Sequence, residues 1–340
     1  MYPPSLLCPV CEKPNCTNFL FLSGKHGVYQ CDSCDVEFLY PQPSDQDLAK
    51  IYSEQYFLGS ESEVARKRVA ALKRATAALY LAKVRPLVNV TSPRLLEIGC
   101  GSGDFLLEAS SHGFTVEGLE YSPHAVETAN RRLSKQAVQV GSLESNELPA
   151  DYYDVAVGFD VIEHVRDPAY ALARLHRSLK PEGLLVLATP SLDSWSHRLL
   201  GKHWMEYKTE HLTYFGQKSL KYILQRLGFA EIRFHSNYKV LSFDYIYGHF
   251  ERYPVPIISP VLKLLRKLLP DWIAHKPVKV VASGTMVTAR KAYSANRSSA
   301  GIVAGRFPQA SRNTSSPNVL RPFGLSKNSF FNPGNCVRCA

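Results

Sequence analysis

Residues 94–105 read Arg-Leu-Leu-Glu-Ile-Gly-Cys-Gly-Ser-Gly-Asp-Phe, an apolar run that breaks into glycine at 99, 101 and 103 and then opens a helix near Asp104. Glycine reaches backbone angles closed to other residues and lets a main chain approach a ligand, and a helix start offers unpaired N–H groups. Strand, glycine turn and helix form the opening unit of a doubly wound sheet, and the chain repeats the alternation. A second strand, Thr115–Leu119, ends in Glu120-Tyr121, and a third, short one lies near Ala137–Val140. The fourth, Tyr153–Phe159, runs into Asp160-Val-Ile-Glu163-His164-Val165. A helix over Ala171–Leu179 keeps Leu172, Leu175 and Leu179 on one face, stops at Lys180-Pro-Glu-Gly183, and leads to a fifth strand, Leu184–Ala188. This order predicts an α/β chain with a parallel sheet and its site at the strand C-termini. An acid at the tip of strand two, here Glu120, is where such a fold bonds the ribose hydroxyls of a nucleoside, with Tyr121 beside the base.

Upstream, Cys8-x-x-Cys11 and Cys31-x-x-Cys34 stand 19 residues apart, room for a hairpin to bring the pairs together. Four thiolates suit a tetrahedral Zn²⁺ and match the zinc-ribbon pattern; with no open coordination position, the role is structural. Two disulfides, or a redox Cys-x-x-Cys, are the competing readings. Met1-Tyr2-Pro3-Pro4 lacks the regions of a secretory signal, which points to a cytoplasmic protein and against disulfides. Cys16 and the pair Cys336 and Cys339 are read as incidental.

Leu-Glu-Ile-Gly-Cys-Gly-Ser-Gly, Gly-Leu-Glu-Tyr-Ser, Phe-Asp-Val-Ile-Glu-His-Val-x-Asp-Pro and Leu-Lys-Pro-Glu-Gly occur in the order and spacing of the class I S-adenosylmethionine-dependent methyltransferases, which the chain resembles. The stretch from Trp204 through His211-Leu-Thr-Tyr-Phe-Gly to Leu227-Gly-Phe229 is similar to a subgroup with an N-terminal zinc ribbon, common in sugar, nucleotide-sugar and natural-product pathways. The resemblance spans roughly residues 8–290. It implies a Rossmann-like seven-stranded sheet with S-adenosyl-L-methionine as cofactor. Glu97, Gly99, Gly101 and Gly103 would wrap its methionine part and Glu120 its ribose. Leu143 and Tyr121 would border the adenine, and Asp160 would face the amino group or the methyl. Ser142 stands where many relatives have Asp.

For the reaction itself, adjacent Glu163 and His164, with His211 arriving from after strand five, are the candidate base group, since a histidine titrates near neutrality and a carboxylate can orient it. A second reading gives Asp160, Glu163, His164 and His211 a divalent metal, by resemblance to methyltransferases of quinone precursors or RNA 3′ ends. The plainest alternative lets Glu163-His164 only anchor a loop.

The expected layout is a zinc-ribbon module at 1–43, a helical linker and cap at 44–90 with a helix near 61–84, and the methyltransferase domain at 91–290. Residues 190–214, rich in Trp, Tyr and His, are expected as a substrate-side lid. Helix Lys218–Leu227, strand Phe229–His235 and a last antiparallel strand, Gly284–Arg290, complete the sheet. Residues 240–275 form an insert whose apolar, cation-dotted 258–273 covers the pocket, meets a subunit or rests on a membrane surface. No apolar run is long enough to span a membrane.

The net charge of +10 invites a nucleic-acid partner. However, residues 291–340 hold Lys291, Arg297, Arg306, Arg312, Arg321, Lys327 and Arg338 with no acid, leaving +3 for residues 1–290. That stretch is a low-complexity tail, expected to be disordered. The expected acceptor is therefore a small or glycan-related molecule.

Overall fold

The computed structural model describes residues 6–14, 18–51 and 62–293. Cys16, Cys336, Cys339 and the tail beyond Tyr293 lie outside the described residues.

Strands β1 (Asn18–Ser23), β2 (His26–Gln30) and β3 (Glu37–Tyr40) make an antiparallel meander next to the cysteines. A helix, Asp45–Ile51, and a long one, Glu63–Val84, follow. The long helix starts where Ser62 Oγ accepts the Ala65 N–H, and buries Leu72, Ala77, Tyr80, Leu81 and Val84.

The larger sheet then builds from β4 (Arg94–Ile98), β5 (Thr115–Glu120), β6 (Val138–Val140), β7 (Tyr153–Phe159) and β8 (Leu179–Pro190), all parallel. After the short β9 (Thr213–Tyr214), β10 (Phe229–Leu241) and β11 (Val278–Lys291) close one edge antiparallel, giving the order β10-β11-β8-β7-β4-β5-β6. The strand order reverses between β4 and β7, so the crevice at a doubly wound sheet's switch point opens over their C-terminal ends. Both faces are covered. Leu96, Ile98, Ala156, Leu185 and Leu187 pack on one side, and Leu95, Val155, Val157, Leu184 and Val186 on the other. Two covered faces explain why these strands read as unbroken apolar runs.

Several bounds move, each for a local reason. The helix expected at Ala171–Leu179 begins at Pro168, because Asp167 Oδ1 accepts the Tyr170 N–H and proline suits a first turn. Lys180-Pro-Glu-Gly183 does not precede β8 but bulges within it, with Glu182 at φ 63°. Lys291, counted with the tail, belongs to β11, where it pairs with Phe229 and reaches Asp151 and the Leu179 carbonyl.

The N-terminal meander is not a free-standing module. Its sheet runs β1-β2-β3-β9, finished by Thr213–Tyr214 from the segment that follows β8. Cys8, Val10, Cys34, Val36 and Phe38 share one core with Leu220, Ile223 and Leu224 of the helix Gln217–Arg226.

Candidate functional site

At the end of β4, Gly99, Gly101 and Gly103 all adopt positive φ, 62°, 51° and 78°. A Cβ on Gly99 would stand 2.4 Å from Val161 Cγ2, and one on Gly103 3.1 Å from Ala129 Cβ, so these two let elements pack. Gly101 differs: its Cβ would enter open space. Its N–H donates to Glu120 Oε2 at 2.8 Å, and the Ser122 N–H to Oε1 at 2.9 Å, fixing that buried carboxylate beside the loop. Glu97, buried on β4, has an Oε2 with no hydrogen-bond partner among the described residues. Burial, reinforced by the charges of Asp104 and Glu120, holds its carboxyl well above the usual range. Leu143 is buried and Tyr121 is 65 % exposed.

Asp160, just past β7, adopts φ 55°, and Lys239 Nζ from β10 sits 2.5 Å from its Oδ2. The expected cofactor-facing carboxylate thus already has a cation. Lys239 carried no signal in the sequence, because it reaches the site only through the part of β10 beyond His235.

A short turn, Ile162–His164, places Glu163 and His164 beside the end of β8. Thr189 Oγ1 donates to Glu163 Oε2 at 2.9 Å, and Oε1 is buried with no partner among the described residues. Burial and the Asp160 charge push this carboxyl up to about 8. The Leu212 N–H donates to the Glu163 carbonyl at 2.8 Å, and this brings in His211. The two imidazoles meet edge to face, with centroids 4.7 Å apart. His164 Nδ1 lies 2.9 Å from the Glu210 carbonyl and His211 Nδ1 2.8 Å from that of Glu206. One ligand-capable atom from each of Glu163, His164 and His211 lies within 4.8 Å of the others. Burial lowers both histidines, His211 well below the usual value, with His164 and Lys208 adding to it.

Around them runs a charged ring that motif reading missed. Against its burial, Glu206 is held down at about 2 by Lys208, 3.0 Å away, and by His211, and it accepts from Ser283 Oγ at 2.8 Å. Lys208 Nζ also lies 4.9 Å from the Tyr253 ring centre, and Tyr253 Oη donates to Glu210 Oε1 at 3.1 Å. The signal available was the run Glu206-Tyr-Lys208-Thr-Glu210-His211, in which charge recurs at every second residue.

Within the expected lid, Trp204 and Tyr207 pack inward, while Leu199 stays 70 % exposed. Trp204 is 2 % exposed and donates Nε1–H to Ser196 Oγ at 3.1 Å. Tyr207 Oη donates to Glu37 Oε2 of β3 at 2.6 Å and lies 3.0 Å from His197 Nε2. Trp195 stays outside, 61 % exposed.

Cys8, Cys11, Cys31 and Cys34 converge as buried thiols, none of them in a disulfide. The Cys8–Cys34 and Cys11–Cys31 sulfurs are 3.6 and 3.5 Å apart. Disulfides need about 2.05 Å, whereas a tetrahedron with bonds of about 2.3 Å has edges near 3.8 Å. The two turns repeat one geometry. Cys8 and Cys31 carbonyls each accept the N–H four residues on, from Glu12 and Asp35, and both those residues have φ 59°. Two of the thiols are raised: Cys34 through its contact with Cys8 and its burial, Cys11 to about 11, chiefly by burial.

Residues 65–233 match the family of methyltransferase domains. A mitochondrial ubiquinone biosynthesis O-methyltransferase of Schizosaccharomyces pombe is 35 % identical over 105 residues, 29 % of this chain and 38 % of that protein. A ubiquinone biosynthesis O-methyltransferase of Rickettsia conorii is 29 % identical over 104 residues, 30 % of this chain and 36 % of the relative. The chain thus spans well under half the length of these relatives. Among solved structures, a SAM-dependent methyltransferase, possible histamine N-methyltransferase, from Thermotoga maritima is 20 % identical. The match covers 67 % of this chain and 96 % of that one, with a TM-score of 0.44.

Proposed function

We propose that this chain, which belongs to the class I S-adenosylmethionine-dependent methyltransferases, transfers a methyl group to a small-molecule or glycan-related acceptor, such as a sugar, nucleotide sugar or natural-product intermediate. The observation that carries this reading is the pairing of a cradle at the ends of β4 and β5 with a buried histidine–carboxyl cluster at the ends of β7 and β8.

The cradle fits the cofactor's chemistry. Gly101 leaves open space beside its N–H, Glu120 is fixed next to it, and Glu97 keeps an unpartnered buried oxygen. In this reading Glu97, Gly99, Gly101 and Gly103 hold the methionine portion and Glu120 the ribose diol. Leu143 and Tyr121 border the adenine, and Asp160, tied to Lys239, faces the amino group. S-adenosylmethionine supplies a methyl already activated on sulfonium, so the protein's work is to align, shield and deprotonate. His164 and His211, kept neutral by burial, are ready to accept the acceptor's proton. Glu163, protonated at neutral pH, keeps its unpartnered buried oxygen beside them, while the Glu210 and Glu206 carbonyls position the rings.

Four buried thiols at tetrahedral-edge spacing fit Zn²⁺, and we assign Cys8, Cys11, Cys31 and Cys34 to one structural ion.

Calorimetry should detect S-adenosylmethionine binding, and absence of binding overturns the proposal. Labelled methyl transfer to a panel of nucleotide sugars, quinone precursors and RNA identifies the acceptor. His164→Ala and His211→Ala should each lower kcat by about 10²–10⁴ with cofactor affinity nearly unchanged. If affinity collapses instead, the histidines are structural.

A second reading draws on the backbone-anchored Nδ1 atoms, since a ligating imidazole commonly donates its other N–H to a carbonyl. Glu163, His164 and His211 would then hold a divalent ion that orients the vicinal hydroxyls of a quinone precursor, with the ubiquinone O-methyltransferase relatives in support. Turnover lost to a chelator that leaves the ribbon's zinc in place, and restored by Mg²⁺ or Mn²⁺, would favour it.

A further inference from the structure

The helix Ile258–Leu268 turns its apolar stripe outward. Val261, Leu264, Leu265 and Leu268 recur at i, i+3, i+4 and i+7 and are 50, 60, 41 and 71 % exposed, while no residue of the helix is buried. Ile257 and Trp272 flank it at 81 and 73 %. An ordinary surface helix points such a stripe at the core; here the helix rests on its neighbour Phe243–Arg252 through the other side, where Leu262 and Leu269 are half-buried.

Charge indicates the occupant. Between Pro254 and Lys279 there are five cations, Lys263, Arg266, Lys267, Lys276 and Lys279, and a single acid, Asp271. That acid is engaged: Arg266 holds Asp271 at 2.8 Å and Asp244 at 2.6 Å. Lys263 and Lys267, one turn apart on the helix, and Lys276 beyond it all stand exposed.

We propose that this face docks on an anionic lipid surface, with the Val261–Leu268 stripe and Trp272 entering the acyl boundary and the lysines meeting the headgroups. An apolar stripe flanked by lysine, with tryptophan at its end, is the pattern of a helix lying in the membrane plane. A second copy suits it less. A two-fold contact brings two copies of the same lysine-rich patch together with no acid to offset them but the engaged Asp271, and a stripe one helix wide is small beside the roughly 800 Å² per partner of a stable interface.

The test uses the full chain with vesicles of phosphatidylglycerol and phosphatidylcholine, and with phosphatidylcholine alone. The wild type should co-sediment with the anionic vesicles, less so as salt rises. Brominated lipid should quench Trp272, a signal lost in Trp272→Phe. Leu264→Glu/Leu268→Glu should weaken binding by about tenfold with the thermal midpoint and S-adenosylmethionine affinity unchanged. Lys263→Glu/Lys267→Glu should weaken it on anionic vesicles. The proposal is overturned if nothing sediments, or if binding occurs without quenching of Trp272, which would assign it to the basic tail. A dimer that Leu264→Glu/Leu268→Glu converts to monomer would also overturn it. Because cofactor affinity is read separately, failure here leaves the methyl-transfer reading intact.

Discussion

The cysteine ribbon and the helical insert over residues 243–275 are both additions to a doubly wound sheet, and they attach in opposite ways. The ribbon merges with the main core: Val10, Cys31, Cys34 and Val36 are at 0 % exposure, and β9 completes its sheet. In the insert only Val255 and Ala274 are buried. Both segments are rich in apolar residues, so hydrophobic content alone does not tell a buried addition from an outward-facing one. The ribbon holds part of the site in place, since β9 begins two residues after His211, whereas the outer insert leaves its apolar side for something else.

Breaking the ribbon should therefore have the largest effect. Cys34→Ser should abolish stoichiometric zinc, measured by elemental analysis, and lower the thermal midpoint more than any other change considered, because metal binding and local folding are one equilibrium. It should also remove methyl transfer, through loss of the β3–β9 pairing. Retained zinc with unchanged turnover would separate the two regions after all.

Phe38→Ala, in the shared core, should cost about 3–5 kcal/mol by denaturant unfolding, against almost nothing for Leu264→Ser on the exposed stripe. Equal losses at both positions would erase the contrast.

The site between them predicts a pH effect. Glu163 is raised from 4.5 to about 8 in the folded state, so its contribution to stability is complete below 4.5 and is lost as pH rises towards about 8. The buried histidines work the other way, losing stability as pH falls below their ordinary 6.5. Glu163→Gln should remove the alkaline loss only: its thermal midpoint, relative to wild type, should rise steadily between pH 5 and 8.5. A parallel offset at every pH would mean that the carboxyl does not titrate as its burial implies.

The smallest effect concerns how the ribbon is clasped from outside. Asp35 and Glu12, the matching left-handed residues of the two cysteine turns, hold Lys218 at 2.6 Å and Arg226 at 2.8 Å, near opposite ends of one helix. These pairs are exposed, so Asp35→Ala should change stability by no more than about 1 kcal/mol. A larger loss, seen in thermal melts, would mean that the turns depend on the clasp rather than on the metal.

Much of this was legible beforehand because it is local. The fourth strand appears at Tyr153–Phe159 as read, the long helix occupies 63–84 against an expected 61–84, and the glycine positions and cysteine spacing specify their turns. What moved depends on partners distant in sequence. β8, β10 and β11 outrun their expected lengths because each strand is extended by pairing with its neighbour, and that extension is what carries Lys239 to Asp160.

The sequence by itself determined the doubly wound sheet, the glycine cradle, the paired Cys-x-x-Cys turns and the candidacy of the adjacent Glu163 and His164, since each rests on periodicity or on short-range spacing. Only the tertiary structure decided that Trp204 and Tyr207 pack inward, that Glu206, Lys208 and Tyr253 ring the histidines, and that the apolar stripe of Ile258–Leu268 faces outward. Burial and charge pairing depend on which distant segments meet, and no local pattern encodes that.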